Sequence, residues 1–424
     1  MLGIKEILKD PKKIEEKVRS KEPDFKIEPL IEAYNKLCKA KTELDLARSE
    51  LNAKSKEIGE CKRKGEDVSE ILARVGELKS RVQLLGDEFP SIEKEYENLI
   101  ITIPNLPDDD IKVSPNPEEN VLVGEYGKKP NFTFPIRNHL ELNEKLDLFD
   151  FQRGAKISGS GWPVYKDRGA RLEWALLNLM IDTHLKNGFT FHLLPHLVKP
   201  EVMFGAGQLP KFESQLFKIR DEDYNLYLIP TSEVALNGLH YDEILSEEDL
   251  PKLYIAYTPC FRREAGAAGK AERGLIRVHQ FNKVEMFAFT KPEESDEIFA
   301  KMQSSAEEIL QKLELPYRNM LLVTGDMSYG AARTLDIEVW LPGQDRFMEV
   351  SSVSNCRDFQ ARRSKIRYKN QEGKSTFVHT LNGSGLATAR LMVSLLENNQ
   401  QADGSVSLPK ALHRYYGSDR IDPK

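Results

Sequence analysis

A repeating pattern of apolar residues runs through the first hundred positions of the chain. From residue 68 to residue 99 the apolar positions are spaced three and four residues apart over more than four heptads, which is typical of two helices packed side by side. Residues 30–58 repeat this spacing less regularly, and Gly65 separates the two stretches. The pattern predicts a long antiparallel helical hairpin, with a kink or break at Pro90 because proline has no backbone donor.

The pattern changes after this hairpin. Residues 103–120 are dense in Pro, Asp and Asn and cannot continue a helix. Beyond about residue 135, strand-like runs alternate with a helix at 171–186 that is apolar on two faces and a last helix at 386–397. This order predicts an α+β domain built around an antiparallel sheet. The strand candidates are Thr190–Leu194, Leu226–Ile229, Leu253–Phe261, Leu275–Phe289, Asp336–Leu341 and Phe347–Ser352.

These elements divide the chain into a helical arm at 1–110, a linker at 111–135 and a sheet domain at 136–424. The 424 residues are 40% hydrophobic and 30% charged, a mixture typical of globular proteins, and no apolar run is long enough for a membrane span. The charged N-terminus lacks the apolar core of a secretory signal, so we expect a cytoplasmic protein. The net charge of -6 argues against a uniformly basic nucleic-acid binder but permits a local basic surface.

One strand candidate carries unusual polar residues. In the stretch RVHQFNKVEMF, Arg277, Phe281 and Glu285 recur every fourth residue, so they share one face of a strand. Ordinary antiparallel sheets also present solvated faces of this kind, so the stretch alone leaves that alternative open.

The same stretch is predicted as the returning strand of a hairpin whose loop spans residues 264–274. Arg262 and Glu264 are expected on the outgoing strand and Arg277 on the returning one. An arginine fork suits phosphate oxygens, and an aromatic ring such as Phe281 can stack on a nucleobase. A surface cluster of salt bridges is the alternative interpretation.

Two further motifs offer polar groups. Glu349 and Ser352 carry hard oxygen ligands, which suit a magnesium ion held largely by substrate phosphates. Gly383 and Gly385 stand immediately before the last predicted helix, where backbone donors attract anions. A simple tight turn is the commoner explanation for such glycines.

Other candidates are weaker on sequence alone. Thr231 and Glu233 lie at strand spacing before another predicted helix, where a threonine is most often an N-cap. The four cysteines form no CxxC pair, which disfavours a disulfide framework or a zinc knuckle. No Ser, His and Asp constellation can be assembled from the order of residues.

Taken together, these pieces resemble the class II aminoacyl-tRNA synthetases, and among them closely the seryl-tRNA synthetases. The helix at 171–186 with the strand after it is similar to motif 1 of that class. The stretches FRREAG through VEMF and NGSGLATAR are similar to motifs 2 and 3, while TSE, EVSS and the hairpin are specific to the seryl enzymes. The resemblance covers nearly the whole chain and implies an antiparallel-sheet catalytic domain with an N-terminal tRNA-binding arm.

The resemblance also implies an activity. L-serine would react with ATP to give seryl-adenylate and pyrophosphate, and the seryl group would pass to the 3′ end of tRNA(Ser), with tRNA(Sec) as a second acceptor that the family allows. The implied state is a homodimer, with Mg²⁺ accompanying ATP and no membrane association. One alternative is a paralogue that loads serine onto a carrier protein and would not need the hairpin. A second is a catalytically inactive RNA-binding scaffold, against which the intact polar residues argue.

The resemblance assigns the site residues as well. The implied ATP-binding residues are Arg262, Arg263, Glu264, Arg277, Val278, Phe281, Glu349, Val350, Ser351, Ser352 and Arg390. Of these, Arg262, Glu349 and Arg390 are the implied catalytic residues, and Glu349 and Ser352 are the implied metal ligands. The implied serine-binding residues are Thr231, Ser232, Glu233, Glu285, Asn382 and Ser384. The candidate tRNA contacts near the hairpin tip are Lys54, Lys56, Lys62, Arg63 and Lys64, although an ordinary solvated helix tip would give the same pattern.

Overall fold

The structure, a computed structural model, describes residues 1–265 and 273–424, so part of the loop predicted at 264–274 lies outside the described residues. The described chain forms two compact units, Met1–Pro104 and Asn105–Lys424. The division therefore lies a few residues before the predicted end of the arm at residue 110. None of the described helices is long and apolar enough to cross a membrane.

The first unit is helical. Its helices are α1 (Ile4–Ile7), α2 (Pro11–Arg19), α3 (Glu28–Lys64) and α4 (Ser69–Ile100). The two long helices are antiparallel, because the rings of Tyr34 and Tyr96 lie 5.6 Å apart and, nearer the tip, Arg74 pairs with Glu50 at 2.7 Å. Helix α3 ends at Gly65, whose φ of +75° is left-handed and suits glycine. The hairpin predicted from the heptads is confirmed.

Of the kink or break predicted at Pro90, the break is wrong, because α4 continues through this residue to Ile100, and the kink stays a prediction. Pro90 lies on the exposed side of the helix. Its missing N–H leaves the carbonyl of Gly86 without a helical donor, and at an exposed position water can supply that hydrogen bond. The apolar seam on the other side of α4 keeps the helix paired with α3 on both sides of the proline.

The second unit combines helices and strands. Its helices are α5 (His139–Leu146), α6 (Phe151–Ser158), α7 (Arg168–Lys186), α8 (Pro200–Gly205), α9 (Ser232–Gly238), α10 (Ser295–Lys312), α11 (Phe359–Ser364), α12 (Thr388–Asn398) and α13 (Lys410–Tyr416). Its strands are β1 (Val121–Tyr126), β2 (Phe149–Asp150), β3 (Val164–Tyr165), β4 (Thr190–His192), β5 (Leu197–Val198), β6 (Tyr227–Leu228), β7 (Ile244–Ser246), β8 (Lys252–Phe261), β9 (Gln280–Thr290), β10 (Tyr317–Leu321), β11 (Arg333–Leu341), β12 (Arg346–Asn355), β13 (Arg367–Lys369), β14 (Ser375–Phe377), β15 (His379–Ala387), β16 (Val406–Ser407) and β17 (Arg420–Ile421).

The largest sheet within the described residues has eight strands in the order β1-β10-β11-β12-β15-β9-β8-β4. Neighbouring strands are antiparallel except for β4, which runs parallel to β8. The predicted α+β class with an antiparallel sheet is confirmed. The predicted linker at 111–135 carries the edge strand β1, which pairs with β10. These pairings place that segment in the second unit, where its composition had suggested only an extended crossing.

Both faces of the central strands are covered. On one face α7, α10 and α12 enclose the main core, in which Leu176 and Leu391 are fully buried. On the other face α9, α11 and the small sheet of β7, β13 and β14 pack over Phe287 and Phe289 of β9. Since side chains alternate along a strand, Glu285 lies on the same buried face as Phe287. The alternative of a solvated sheet face does not hold for this part of β9.

The helical hairpin offers a test of its packing. Leu78 is 1% exposed in the seam between α3 and α4, whereas Leu84 of the same helix is 60% exposed. We expect Leu78→Ala to destabilise the hairpin by ~3 kcal/mol because it leaves a cavity. Hydrogen exchange of the α3 and α4 amides in the full chain would measure this loss. Leu84→Ala is the matched control and should change protection by less than ~0.5 kcal/mol, so equal effects of the two variants would contradict the packing described.

Candidate active site

A cleft with two adjoining chambers lies on β9, β12 and β15. We call the first the arginine chamber; it has a volume of about 640 Å³, and its charged lining residues are Arg262, Glu264, Arg277, Lys283, Glu349 and Arg390. We call the second the acidic chamber; it has a volume of about 770 Å³ and is lined by Glu233 and Glu285 among others. Arg262, Lys283, Glu349 and Ser384 line both chambers.

Internal contacts anchor the guanidinium groups of the arginine chamber. Arg390 donates from Nε to the carbonyl of Ile276 at 3.2 Å, and from Nη1 to the carbonyl and a carboxylate oxygen of Glu349 at 2.9 and 3.3 Å. The guanidinium of Arg262 lies 5.2 Å from the centre of the Phe281 ring. Positive groups fixed in this way can face an extended polyanion without first being ordered.

The outgoing strand ends where the candidate Leu253–Phe261 does, short of Arg262 and Glu264, and the returning strand begins later than predicted. Strand β8 ends at Phe261 and β9 begins at Gln280, so Glu264 and Arg277 do not lie on strands. Instead of continuing the ladder, the amide of His279 donates to the carbonyl of Gly161 at 2.9 Å. Glu264 and Arg277 nevertheless meet, because Arg277 Nη1 forms an ion pair with Glu264 Oε2.

Most of the predicted ATP residues line the arginine chamber: Arg262, Glu264, Arg277, Val278, Phe281, Glu349, Val350 and Arg390. Ser352 lines the acidic chamber instead. Arg263 and Ser351 line neither of these chambers. Arg263 is exposed, and the buried hydroxyl of Ser351 donates to the carbonyl of Ser384 at 2.6 Å. The structure therefore supports eight of these positions as one cluster and gives Ser351 a packing role.

All but one of the predicted serine-binding residues line the acidic chamber. Thr231, Glu233, Glu285, Asn382 and Ser384 line it. The remaining residue, Ser232, is fully buried, and its hydroxyl lies 2.6 Å from that of Thr258. Because this hydroxyl is bonded within the protein core, the structure does not bring Ser232 to the chamber.

Two carboxylates share this chamber with one buried lysine. Lys283 forms an ion pair with Glu285, and both side chains are almost completely buried. Lys283 Nζ also donates to the hydroxyl of Thr231 at 2.7 Å. That hydroxyl accepts from the amide of Glu233 at 3.3 Å as the N-cap of α9, so the N-cap interpretation is correct without excluding a role in the chamber.

Glu233 is held at the opposite wall. Its Oε1 accepts hydrogen bonds from Gln360 Nε2 at 2.6 Å and from Asn382 Nδ2 at 2.9 Å. Burial, followed by the negative charge of Glu285, raises the pKa of Glu233 to about 7. A bound cation would favour the ionised form of this carboxyl. The chamber therefore suits a small molecule that carries an ammonium group.

Sequence reasoning missed two residues of this chamber. Lys283 stands on the same strand face as Phe281 and Glu285, and that alternation was the available signal for it. Gln360 comes from α11, distant in the sequence from β9. No spacing or motif in the sequence indicates that its side chain reaches Glu233.

The glycines of the third motif do not have the predicted role of offering backbone donors at a helix start. Gly383 and Gly385 lie within β15, and α12 begins only at Thr388, so they do not form a helix N-terminus. A Cβ atom at Gly385 would collide with the imidazole ring of His184. A Cβ atom at Gly383 would lie 3.1 Å from a methyl group of Val353. The glycines therefore allow close packing, and Arg390 projects from the first turn of α12.

The oxygen donors near Glu349 and Ser352 determine whether a magnesium ion fits this cleft. Glu349 and Ser352 both line the acidic chamber, and Ser352 lies opposite Asp336 in the pairing of β11 with β12. The Oδ1 atom of Asp336 is buried without a hydrogen-bond partner in the described chain. Within residues 1–265 and 273–424 no group of three or more His, Cys, Asp or Glu could hold a metal. The donor set therefore fits an ion held partly by substrate phosphates.

The candidate tRNA contacts all lie on the last part of α3. Lys54 pairs with Glu57 at 2.7 Å, and Arg63 Nε donates to the carbonyl of Gly59 at 3.1 Å. Lys56, Lys62 and Lys64 are exposed. These contacts are equally those of a solvated helix end, so the tRNA role stays a prediction.

Comparisons with known proteins agree with this geometry. A family model for the tRNA synthetase class II core domain (G, H, P, S and T) matches residues 213–399, and one for the seryl-tRNA synthetase N-terminal domain matches residues 1–107. The chain is 49% identical over 421 residues to the serine–tRNA ligase of Chlamydia felis, and 50% identical to that of Chlamydia pneumoniae, with 99% of each protein covered. The crystal structure of seryl-tRNA synthetase from Pyrococcus horikoshii complexed with ATP matches with a TM-score of 0.93 at 36% identity, covering 100% of both chains.

The eight-stranded sheet, the cleft upon it and the matched core model define a class II aminoacyl-tRNA synthetase domain. Within that class, the chain belongs to the seryl-tRNA synthetase family. The resemblance inferred from the motifs is confirmed.

The raised pKa of Glu233 leads to a prediction about stability. An acid whose pKa rises on folding destabilises the folded state as the pH rises from its ordinary value, 4.5, through the raised value of about 7. Glu233→Gln cannot ionise, so it should be more stable than the parent chain by up to ~3 kcal/mol at pH 8 and by much less at pH 5. Denaturant unfolding without serine at both pH values measures this. The exposed Glu222→Gln is the control, and a gain independent of pH would contradict the assignment.

Proposed function

We propose that this chain is an ATP-dependent serine–tRNA ligase. It activates L-serine with ATP to form seryl-adenylate and pyrophosphate, and then transfers the seryl group to the 3′ end of tRNA(Ser). One observation carries this proposal: a chamber for an ammonium group opens onto a chamber for a polyanion at Arg262. The carboxylate of an amino acid held in the first would face the α-phosphate of a nucleotide held in the second.

The acidic chamber binds serine. Glu285 and Glu233 receive the ammonium group together with the hydroxyl of Thr231, because carboxylates and hydroxyls accept hydrogen bonds from it. Ser384 and Asn382 recognise the hydroxyl of the substrate. Alanine or glycine would leave these polar groups unpaired, and such unpaired groups reduce activity by ~10⁴-fold in favourable cases.

The arginine chamber binds ATP. An ionised carboxylate only accepts hydrogen bonds, so Glu264 suits the exocyclic amino group of adenine. Phe281 stacks on the base, and the backbone of Val278 contacts the nucleotide. Arg262 holds the α-phosphate, while Arg277 and Arg390 bind the outer phosphates.

Catalysis rests on position and charge. The serine carboxylate attacks the α-phosphate directly, so no residue of the chain becomes covalently attached to the substrate. Arg262 stabilises the charge that develops there, and Arg390 fixes the leaving phosphates. Glu349 and Ser352 would hold Mg²⁺, which neutralises phosphate charge when bound.

Several partners belong to the same proposal. The basic residues near the tip of the hairpin bind tRNA phosphates, and tRNA(Sec) is a second acceptor. The chain forms a homodimer through α7, because Trp174 and Leu185 on this helix are 54% and 44% exposed although its other leucines are buried. A cytoplasmic location remains a prediction from the sequence. The carrier-protein alternative is disfavoured because the hairpin would have no purpose there.

The central experiment is serine-dependent exchange of pyrophosphate into ATP. The parent chain should exchange with serine and not with alanine. Glu285→Ala should raise the KM for serine about a hundredfold, because one member of a buried charge pair is removed, with a far smaller effect on the KM for ATP. Glu308→Ala, which removes an ion-paired glutamate of α10 outside the cleft, is the matched control. Absence of exchange at saturating serine would refute the proposed activity, and a defect confined to ATP would refute the role of Glu285.

The hairpin has a test of its own. Deleting residues 31–99 and closing the gap with a short glycine turn should abolish charging of tRNA while pyrophosphate exchange persists, since the cleft lies within the second unit. Charging and exchange would be measured on the same preparation. If charging continued undiminished, the arm would have no part in tRNA binding.

A further inference from the structure

Gln215 is hydrogen-bonded to the backbone on both sides of Glu264, through its own carbonyl on one side and its side chain on the other. Gln215 is the last residue of a short 3₁₀ helix, Glu213–Gln215, remote in sequence from β8. Its carbonyl accepts from the amide of Arg263 at 3.0 Å. Its side-chain Oε1 accepts from the amide of Ala265 at 3.0 Å, and its Nε2 donates to the carbonyl of Ala265 at 3.0 Å. One residue thus makes three hydrogen bonds that bracket Glu264.

Glu264 itself has an unusual backbone. Its φ of +47° lies in the left-handed region, which residues with a Cβ atom seldom occupy. Such a conformation persists only where the surroundings fix it. The bonds from Gln215 to Arg263 and Ala265 supply that constraint. They direct the carboxylate of Glu264 into the arginine chamber, where it meets Arg277.

We propose that Gln215 is a positioning residue for adenine recognition, acting through Glu264. The inference rests on the proposed adenine site. A hydrogen bond to the exocyclic amino group needs a donor–acceptor distance near 2.9 Å. Without the two side-chain bonds to Ala265, Glu264 would relax to an ordinary backbone conformation and its carboxylate would move. Removal of these bonds should therefore weaken recognition of the exocyclic amino group of adenine and leave serine binding intact.

The test compares two nucleotides in serine-dependent pyrophosphate exchange: ATP, and purine riboside triphosphate, which lacks the exocyclic amino group. Gln215→Leu keeps the size of the side chain and removes both of its hydrogen bonds. We expect the KM for ATP to rise about tenfold and the preference for ATP over the analogue to fall by a similar factor. The KM for serine should change by less than about twofold.

Two further variants sharpen the result. Gln215→Glu keeps an acceptor for the Ala265 amide but loses the donor, so it should reduce the preference for ATP by about threefold, and it supplies the measurement if Gln215→Leu does not fold. Glu213→Ala is the matched control, because Glu213 is in the same 3₁₀ helix and its Oε1 accepts only from the Tyr227 hydroxyl at 3.2 Å among the contacts described. It should leave the preference unchanged.

The outcomes separate the possible explanations. An equal loss with both nucleotides would mean that Gln215 only supports the fold, and it would overturn the proposal. An unchanged preference would overturn it too, as would a parent chain that uses both nucleotides equally well. In a Glu264→Gln background, Gln215→Leu should have little further effect on the preference. Absence of exchange by the parent chain would instead refute the proposed function itself.

Discussion

The buried ion pair between Lys283 and Glu285 is the interaction on which the acidic chamber depends. Charges removed from water need partners, and here Lys283 pairs with Glu285 in a chamber that Glu233, Glu349 and Arg262 also line. Burial, followed by the negative charge of Glu285, raises the pKa of Glu233 to about 7. A bound ammonium group, as proposed for serine, would favour the ionised form of this carboxyl beside Glu285.

This arrangement requires the register of the central sheet. Glu285 of β9 lies opposite Ser384 of β15, and Asn382 lies opposite Phe287. A slip of one residue between these strands would turn Glu285 towards the core of Leu176 and Leu391. Apolar packing on both faces of β9 thus decides where the charged groups stand. Selectivity for a small polar substrate and stability of the fold have a common origin in this pairing.

Local patterns predicted much of the molecule, whereas contacts between distant segments escaped them. Heptad spacing is a local property, so it predicted the hairpin. The spacing of Phe281 and Glu285 likewise pointed to the cleft. The start of β9 was misplaced because the backbone near His279 bonds to Gly161, a partner that no periodicity reveals. The glycine motif was misinterpreted because its neighbour, His184, comes from another helix.

The guanidinium groups of the cleft are held by carboxylates in the structure. Arg277 is paired with Glu264 and Arg390 with Glu349. A nucleotide that binds these arginines through its phosphates, as proposed, would compete with those carboxylates for guanidinium donors. The displaced groups are the ones proposed to accept from adenine and to ligate a metal. Glu264 would then accept a hydrogen bond from the neutral amino group of adenine, and Glu349 would meet the positive charge of the metal as the substrate enters.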